Sequence, residues 1–293
     1  MSPFEEFYDL LFEFSNENRH LILLLLRENA LRITDIEKEL GLTNPEIRRH
    51  VSRLYEINLI ERDVEGYYSL TPYGEISLKL LPELEFLSKN KEYFQTHVLD
   101  IPLGFMKQIG KLMNARIILN PLDYVRQTQK LLKEAGKQVY LIVDQFPMNL
   151  LYDIMEAIDR GVNIRLIESQ EQELEISELT TDEENALIRI RTTPLYEKRK
   201  HEKIPMQLHI TESSCVLCFP SKDEIYDYTG FICDDEAGLD WCSDIFKYYW
   251  EPVTEKESEK YLEEIQDESL LEEKDTVEEL DDSVLDILLI QDS

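Results

Sequence analysis

The chain has 293 residues, a length typical of two domains, and its 61 Asp and Glu against 31 Lys and Arg give a formal net charge of −30. That balance excludes a protein that binds nucleic acid or anionic lipid through its overall charge. Hydrophobic residues make up 43% of the chain, which excludes wholesale disorder, and four Cys are too few for a disulfide scaffold. Residues 4–9 are acidic where a signal peptide is basic, and the longest apolar run, Leu21–Leu26, is too short to span a membrane. We therefore expect a reduced, cytoplasmic protein without a membrane partner.

The first predicted elements are three helices. Apolar residues between Phe4 and Phe14 recur at the spacing of one helical face, and a second helix is expected from about Asn16 to Glu28. Thr34 and Glu37 have the spacing of a capping box that opens the third helix. Gly41 is suited to the left-handed conformation in which that helix ends.

A fourth helix and a hairpin are expected next. Asn44-Pro45 begins the helix, which runs to about Asn58. Residues 59–62 and 67–70 are predicted strands on either side of Glu65-Gly66. A long helix should follow Pro72, and its apolar face is the expected dimer contact, with the first helix beside it; that face consists of Ile76, Leu80, Leu84 and Leu87.

The fourth helix has the pattern of a DNA-reading helix. On a helical wheel Ile47, Val51 and Leu54 lie on one side and would pack on the preceding helices. Arg side chains lie outward, and Arg can contact a phosphate or a guanine edge through its fork of N–H groups. A short helix, a tight turn and this second helix indicate a helix-turn-helix, with the hairpin as the wing. The predicted DNA-binding residues are Thr43, Asn44, Arg48, Arg49, Ser52, Arg53, Arg62 and Tyr67.

A plainer interpretation stays open for these arginines, because they can simply solvate an exposed helix face. Glu46 and Glu56 on the same helix favour that caution.

Residues 97–250 have a different pattern. Apolar, β-rich segments at 115–119, 138–143 and 163–167 alternate with helical stretches at 121–134 and 147–160. Strands separated by helices predict a mainly parallel sheet with right-handed crossovers, hence an α/β domain. Later elements are also predicted, namely strands at about 186–191, 205–210 and 214–219 and a helix over Asp240–Trp250.

Particular phrases carry a family resemblance. With the helix-turn-helix, Leu70-Thr71-Pro72-Tyr73-Gly74-Glu75 makes residues 15–90 resemble archaeal winged-helix regulators of the arsenical-repressor type, in which such a phrase closes the wing. Residues 97–250 resemble the middle domain of archaeal regulators named after a methanogenesis regulator, and the phrases that carry this are Asn120-Pro121, Leu217-Cys218-Phe219-Pro220, Asp240-Trp241 and Phe246-Lys247-Tyr248-Tyr249. The resemblance implies sequence-specific binding to double-stranded DNA.

Three polar residues are candidate ligand-binding groups in the second domain. Asn120, Asp144 and Glu168 each end a predicted strand, at intervals of 24 residues. Ligands bind outside the carboxyl ends of strands in an open parallel sheet, so a small-molecule effector or a cation could be held there. The alternative is that Asn120 and Asp144 only cap the helices that follow them.

Enzyme and metal chemistry are not expected. The domain order loosely resembles the phospholipase D fold, whose catalytic motif is His-x-Lys-x-x-x-x-Asp. After His209, however, Thr211 and Val216 occupy the Lys and Asp positions, so the catalytic motif is absent. Cys215 and Cys218 are three apart on a strand, point to opposite faces and cannot share a metal ion. We expect no cofactor, no metal and no catalytic residue.

Two charged segments complete the sequence. Glu197–Lys203 is a basic cluster that we expect to be a surface loop, with a phosphate-bearing effector or a further DNA contact as alternatives. Residues 251–293 hold 17 Asp and Glu against 3 Lys, a net charge of −14, and are predicted to be an acidic tail.

The domain prediction follows from these parts. It comprises a winged helix-turn-helix for DNA binding and dimerisation at 1–96, an α/β sensing or assembly domain at 97–250, and the tail. We expect a homodimeric transcription regulator, because a single winged helix in so acidic a chain would bind DNA weakly. The alternative is a winged-helix module that binds protein within a larger transcription complex.

Overall fold

The computed structural model describes residues 4–169 and 179–251, and its contacts define two compact units, each described by itself. Unit 1 comprises Met1–Leu131, Pro205–Gln207 and Ser213–Trp241, and unit 2 comprises Leu132–Ile204, Leu208–Glu212 and Cys242–Ser293. The predicted domain boundary at 96–97 stays a prediction. The predicted acidic tail, apart from Glu251, lies outside the described residues.

Four helices open unit 1: α1 (Glu5–Phe14), α2 (Glu17–Glu28), α3 (Ile33–Leu40) and α4 (Asn44–Glu56). The predicted capping box at Thr34 and Glu37 is wrong. Helix α3 begins one residue before Thr34, and the Asp35 carboxylate accepts a hydrogen bond from the Arg32 N–H at 3.0 Å. Asp35 is the third helical residue, the position from which a carboxylate reaches the free N–H at the helix start. Gly41 ends α3 with a φ of 65°, as predicted.

The hairpin follows α4 as predicted. Strands β1 (Ile60–Arg62) and β2 (Tyr68–Leu70) pair antiparallel, with Ile60 opposite Leu70. The turn between them needs a positive φ at Gly66, 90°, which glycine adopts without strain. The core under helices α2 to α4 and this hairpin is apolar, and its fully buried residues include Ile22, Leu23, Ile36, Ile47 and Leu54.

Hydrogen bonding and lack of space explain the Thr71-Pro72-Tyr73-Gly74 motif that follows the wing. Thr71 Oγ1 accepts a hydrogen bond from Gly74 N–H at 3.0 Å and donates to the Asn58 carbonyl at 2.6 Å. A side chain at position 74 would place its Cβ 2.1 Å from the Leu59 carbonyl oxygen, so only glycine fits there.

The single long helix predicted after Pro72 is wrong. The segment forms two helices, α5 (Pro72–Lys79) and α6 (Pro82–Lys89), because Pro82 lacks the N–H that would continue the first one. Of the predicted apolar face, Ile76, Leu80 and Leu84 are exposed.

The rest of the chain alternates short elements. In order they are α7 (Lys91–Phe94), α8 (Leu103–Met106), a 3₁₀ turn at Ile109–Leu112, β3 (Arg116–Ile118), α9 (Pro121–Glu134), β4 (Gln138–Val143), a 3₁₀ turn at Met148–Leu150, α10 (Leu151–Asp159), β5 (Asn163–Ser169), α11 (Thr181–Thr192), β6 (Tyr196–His201), β7 (Gln207–Thr211), β8 (Cys215–Cys218), β9 (Gly230–Cys233) and α12 (Glu236–Trp250).

The strands do not form the mainly parallel sheet that the sequence predicted. In unit 2, β4 pairs parallel with β5 and antiparallel with β7, while β5 pairs parallel with β6. In unit 1, β9 pairs antiparallel with both β3 and β8. Both edges of β4 are therefore occupied by β5 and β7, so the first predicted strand cannot lie beside it. The second region is an α/β domain with mixed pairing.

Two further element predictions are wrong. Residues 186–191 were expected to be a strand but belong to α11, which a capping box of Thr180 and Glu183 begins and whose Ala186, Leu187 and Ile190 face the core. The basic cluster expected as a loop lies largely in strand β6. None of the helices in residues 4–169 and 179–251 combines the length and the apolar character that crossing a bilayer requires.

Candidate nucleic-acid interface

Helix α4 has the two faces that the sequence predicts. Ile47, Val51 and Leu54 are at most 2% exposed and pack in the winged-helix core. On the outer side Arg48, Arg49 and Ser52 are exposed. The core contacts thus fix which α4 side chains face solvent.

The start of α4 is tied down by its own side chains. Thr43 donates to the Glu46 carboxylate through its backbone N–H at 3.0 Å and its Oγ1 at 2.6 Å, and these hydrogen bonds lower the pKa of Glu46. Asn44 donates to Glu37 at 3.0 Å and accepts from Arg48 Nε at 2.7 Å. Arg48 is therefore oriented by Asn44 near the helix N-terminus, where the helix dipole favours an anion.

Arg49 and Ser52 occupy the next part of the exposed face. Arg49 makes neither a hydrogen bond nor an ion pair with the part of the chain that the structure describes. Ser52 Oγ donates to the Glu56 carboxylate at 3.1 Å. Arg49 is thus the α4 cation most available to an external anion.

Arg53 has a different environment. Its guanidinium forks onto the Glu13 carboxylate of α1, with Nη2 2.6 Å from Oε1, and this hydrogen bond raises the pKa of Arg53. Next to it, His50 is buried, and burial together with Arg49 lowers the pKa of the imidazole.

The wing holds the predicted residues Arg62 and Tyr67, and Arg32, which precedes α3, contacts it although the sequence did not reveal this. The Arg62 guanidinium lies over the Tyr68 ring at 5.5 Å, and Arg32 lies over the Tyr67 ring at 4.4 Å. Arg32 was missed because it stands outside the helix and the hairpin, where no periodic pattern marks it. The wing tip is acidic, since Asp63 and Glu65 flank the fully exposed Val64.

Of the three candidate ligand residues, Asn120 lies in unit 1 and Asp144 and Glu168 lie in unit 2, so a site shared by all three stays a prediction. Asn120 Oδ1 accepts a hydrogen bond from the Leu122 N–H at 2.9 Å at the start of α9 in unit 1. Asn120 therefore caps the helix that follows it, which was the alternative to ligand binding. Asp144 and Glu168 lie in unit 2 at the same end of the parallel pair β4 and β5, since Val143 is opposite Glu168. Glu168 is buried and forms an ion pair with Lys198.

No group of three or more His, Cys, Asp or Glu among residues 4–169 and 179–251 is placed to hold a metal ion. All four Cys are buried and none forms a disulfide, and Cys215 stands opposite Cys233 in the β8–β9 pair. His209 lies in the buried strand β7, where burial lowers the pKa of its imidazole to about 4.

Two family models match the chain. Residues 16–62 match the model described as bacterial regulatory protein, arsR family, and residues 121–252 match that of the methanogenesis regulatory protein FilR1, middle domain. The chain therefore carries an arsR-family winged helix followed by a FilR1-type middle domain, and both families predicted from the sequence are confirmed. These are domains of regulators, and they support a DNA-binding transcription regulator. Neither match supports the loose likeness to the phospholipase D fold.

Solved structures add weaker likenesses. TrmBL2, an archaeal chromatin protein whose structure shows a novel mode of DNA binding, is 16% identical over 80% of this chain and 92% of its own, with a TM-score of 0.38. NucT from Helicobacter pylori is 10% identical over 46% and 92%, with a TM-score of 0.33. IdeR from T. acidophilum is 19% identical over 32% and 45%, with a TM-score of 0.21. All three TM-scores are below 0.5. No curated protein matches the chain.

Proposed function

We propose that the protein is a sequence-specific regulator of transcription that binds double-stranded DNA through α4 and the β1–β2 wing. The observation that carries the proposal is the outer face of α4, where Arg49 is exposed without a partner in the described chain and Arg48 is oriented by Asn44. The residues assigned to DNA remain Thr43, Asn44, Arg48, Arg49, Ser52, Arg53, Arg62 and Tyr67.

These residues divide by role. The N-terminal part of a recognition helix enters the major groove, so Arg48 and Arg49 are the proposed base readers. The side chains of Thr43 and Asn44, at the positive end of the α4 helix dipole, would contact a phosphate. Arg62 in the wing would contact the sugar-phosphate backbone, which positions a protein on DNA without reading its sequence.

The active form is proposed to be a homodimer on two half-sites. Large apolar side chains are exposed on α1 and beside α5, and they support a contact between copies: Phe4, Phe7, Tyr8, Phe12, Ile76, Leu80 and Leu84. Sedimentation of the full chain at micromolar concentration should give a dimer mass, and a monomer would contradict this part of the proposal.

The second domain is proposed to sense an effector or mediate assembly, within the division 1–96, 97–250 and 251–293. Asn120, Asp144 and Glu168 are the candidate ligand groups, and the last two lie at one end of β4 and β5. No enzymatic activity and no cofactor is part of the proposal.

One observation favours a second function. Glu46, Glu56, Asp63 and Glu65 lie on α4 and the wing, and they would repel a phosphate backbone. A winged helix with such acidic residues could instead bind a basic protein surface in a larger transcription complex.

The dependence of DNA binding on salt distinguishes the two functions. A duplex selected from a random library with the full chain would be titrated at several salt concentrations. Arg48, Arg49 and Arg53 in two subunits give up to six phosphate or base contacts, and if each cation also neutralises one phosphate, log K should fall against log salt with a slope of roughly −5. Replacing all three with Ala should abolish specific binding.

A matched control keeps the same change in net charge. Replacing Arg116, Arg126 and Arg189, three exposed arginines outside the winged helix, with Ala should leave most of the affinity. A slope near zero, or equal losses in the two triple variants, would contradict the DNA assignment and favour protein binding.

A further inference from the structure

Arg53 is gripped by an acidic residue from outside the helix-turn-helix. Its Nε donates to the two carboxylate oxygens of Glu13 at 3.0 and 3.2 Å, and its Nη2 donates to Oε1 at 2.6 Å. This fork occupies one edge of the guanidinium, whereas Nη1 with its two N–H groups is not part of it. The Arg53 side chain is 44% exposed and that of Glu13 only 4%, so the acid is inside and the cation reaches solvent.

Glu13 is itself immobilised. Arg19 Nε lies 2.6 Å from Glu13 Oε2 and donates to the Glu13 carbonyl at 3.0 Å, while Arg19 Nη2 donates to the Phe12 carbonyl at 2.7 Å. The Phe12 ring has both guanidinium groups near its face, that of Arg19 at 5.3 Å and that of Arg53 at 5.1 Å. The carboxylate therefore sits between two cations and an aromatic ring, in a fixed geometry.

The position of Arg53 on α4 decides what it can reach. It lies in the last turn of the helix, three residues before the end at Glu56. The N-terminal part of a recognition helix contacts base edges, so a cation in the last turn is placed for the sugar-phosphate backbone. Phosphate contacts fix the register of a protein on DNA.

We propose that Glu13 is a positioning residue, which holds Arg53 in the orientation in which its Nη1 edge donates to a DNA phosphate. The proposal rests on the proposed function. A free Arg side chain loses rotamer entropy when it binds, and a guanidinium that is already fixed in the free protein avoids most of that loss. Helix α1 thereby contributes to DNA affinity without touching DNA. The opposite role, a carboxylate that competes with phosphate for Arg53, predicts the opposite sign.

The experiment compares full-length variants on the duplex selected from a random library. Glu13→Gln removes the charge and half of the fork, and it should weaken binding about three- to tenfold because Arg53 is then ordered only on binding. The salt slope should stay at the wild-type value, since the same phosphates are bound. Arg53→Ala should weaken binding and also make the slope shallower by about 0.9 for each phosphate that Arg53 no longer neutralises. Glu13→Gln added to Arg53→Ala should have no further effect on DNA binding.

Two more variants keep the result interpretable. Glu5→Gln changes the charge of α1 equally at an exposed position and should bind DNA like the wild type. Arg53→Lys keeps the positive charge but cannot form the fork, so it should bind as weakly as Glu13→Gln with an unchanged slope. It serves as the test if Glu13→Gln fails to fold, as judged by its thermal unfolding.

Several outcomes would overturn the inference. Tighter binding by Glu13→Gln would make Glu13 a competitor of phosphate. Additive losses in the double variant would mean that Glu13 acts through the fold and not through Arg53, and wild-type binding by Arg53→Lys would remove the role of the fork. If no duplex binds at all, or if Arg49→Ala binds like the wild type, it is the proposed function that fails.

Discussion

This acidic chain has two basic clusters, and their side chains differ in their partners and their exposure. Arg48, Arg49 and Arg53 lie on α4, and Lys198 and Arg199 lie on β6. On β6 the cations are used internally: Lys198 forms an ion pair with the buried Glu168, and Arg199 donates to the Trp250 carbonyl and lies 4.5 Å from the Trp250 ring centroid.

On α4 the three arginines differ in their hydrogen-bond partners. All three are exposed, but Arg48 is bound to a neutral amide and Arg53 to a carboxylate, while Arg49 makes no hydrogen bond within the described residues. Composition alone makes the two clusters equivalent candidates for anion binding. What separates them is how far each cation reaches solvent: Lys198 is 24% exposed beside the buried Glu168, whereas Arg53 stays 44% exposed although it is paired with the buried Glu13.

The largest expected effect concerns the ion pair between Lys198 of β6 and Glu168. Lys198→Met leaves the Glu168 carboxylate buried without its ion-pair partner, and Lys198 itself is about three-quarters buried. We expect the free energy of unfolding to fall by about 2–3 kcal/mol, the lower end for a broken buried pair because Lys198 retains some exposure. Urea unfolding measures this loss.

The double variant Lys198→Met, Glu168→Leu is the control, since removing both charges should restore most of the stability. If the unfolding free energy of Lys198→Met is within about 0.5 kcal/mol of the wild type, the ion pair does not stabilise the fold. The β6 cations would then not differ from the α4 cations in their contribution to stability.

Arg49→Ala tests the other cluster, with its effect on a different quantity. The side chain is exposed, so the free energy of unfolding should stay within about 0.5 kcal/mol. DNA affinity should fall by roughly 1–3 kcal/mol if Arg49 forks onto a base edge. Fluorescence anisotropy on the selected duplex, together with urea unfolding, gives both quantities. A variant that loses stability without losing affinity would place Arg49 with the β6 cations.

The winged helix was predictable because its signals are local. Gly41, Asn44-Pro45 and Gly66 mark element ends through the conformations their own residues favour, and the structure has those ends there. The apolar face of α4 follows from helical spacing alone. The DNA-facing residues could be named for the same reason, whereas the grip on Arg53 could not, since Glu13 is 40 residues away in the sequence.

The second region was predictable in its elements and not in its pairing. Strands β4 and β5 lie close to their predicted bounds, but the partner of β3 is β9, more than a hundred residues later, where the sequence has no local signal for it. Helix α11 resembles a strand in sequence because Ile188 to Arg191 alternates apolar and polar residues. In the helix Ile188 is 61% exposed, so the alternation does not reflect burial.

The smallest expected effect compares one histidine from each region through pH. Burial holds the pKa of His209 at about 4, against about 6.5 in an unfolded chain, and it also lowers that of His50 on α4. Between these values the unfolded chain binds a proton that the folded chain does not, so stability is present above pH 6.5 and is lost as the pH falls toward 4. From pH 7.5 to 5.5 His209 should account for about 1 kcal/mol of lost stability.

The measurement is urea unfolding of the wild type, His209→Gln and His50→Gln at both pH values. His209→Gln should show a smaller loss on acidification than the wild type, since its side chain does not titrate. His50→Gln should change the loss less, because the carboxylates of Glu46 and Glu13 favour the charged form of His50 and oppose the effect of burial, whereas burial alone acts on His209. Equal losses in the wild type and His209→Gln would mean that β7 opens to water at pH 5.5. The sheet that contains β7 would then be less stable at that pH than the winged helix.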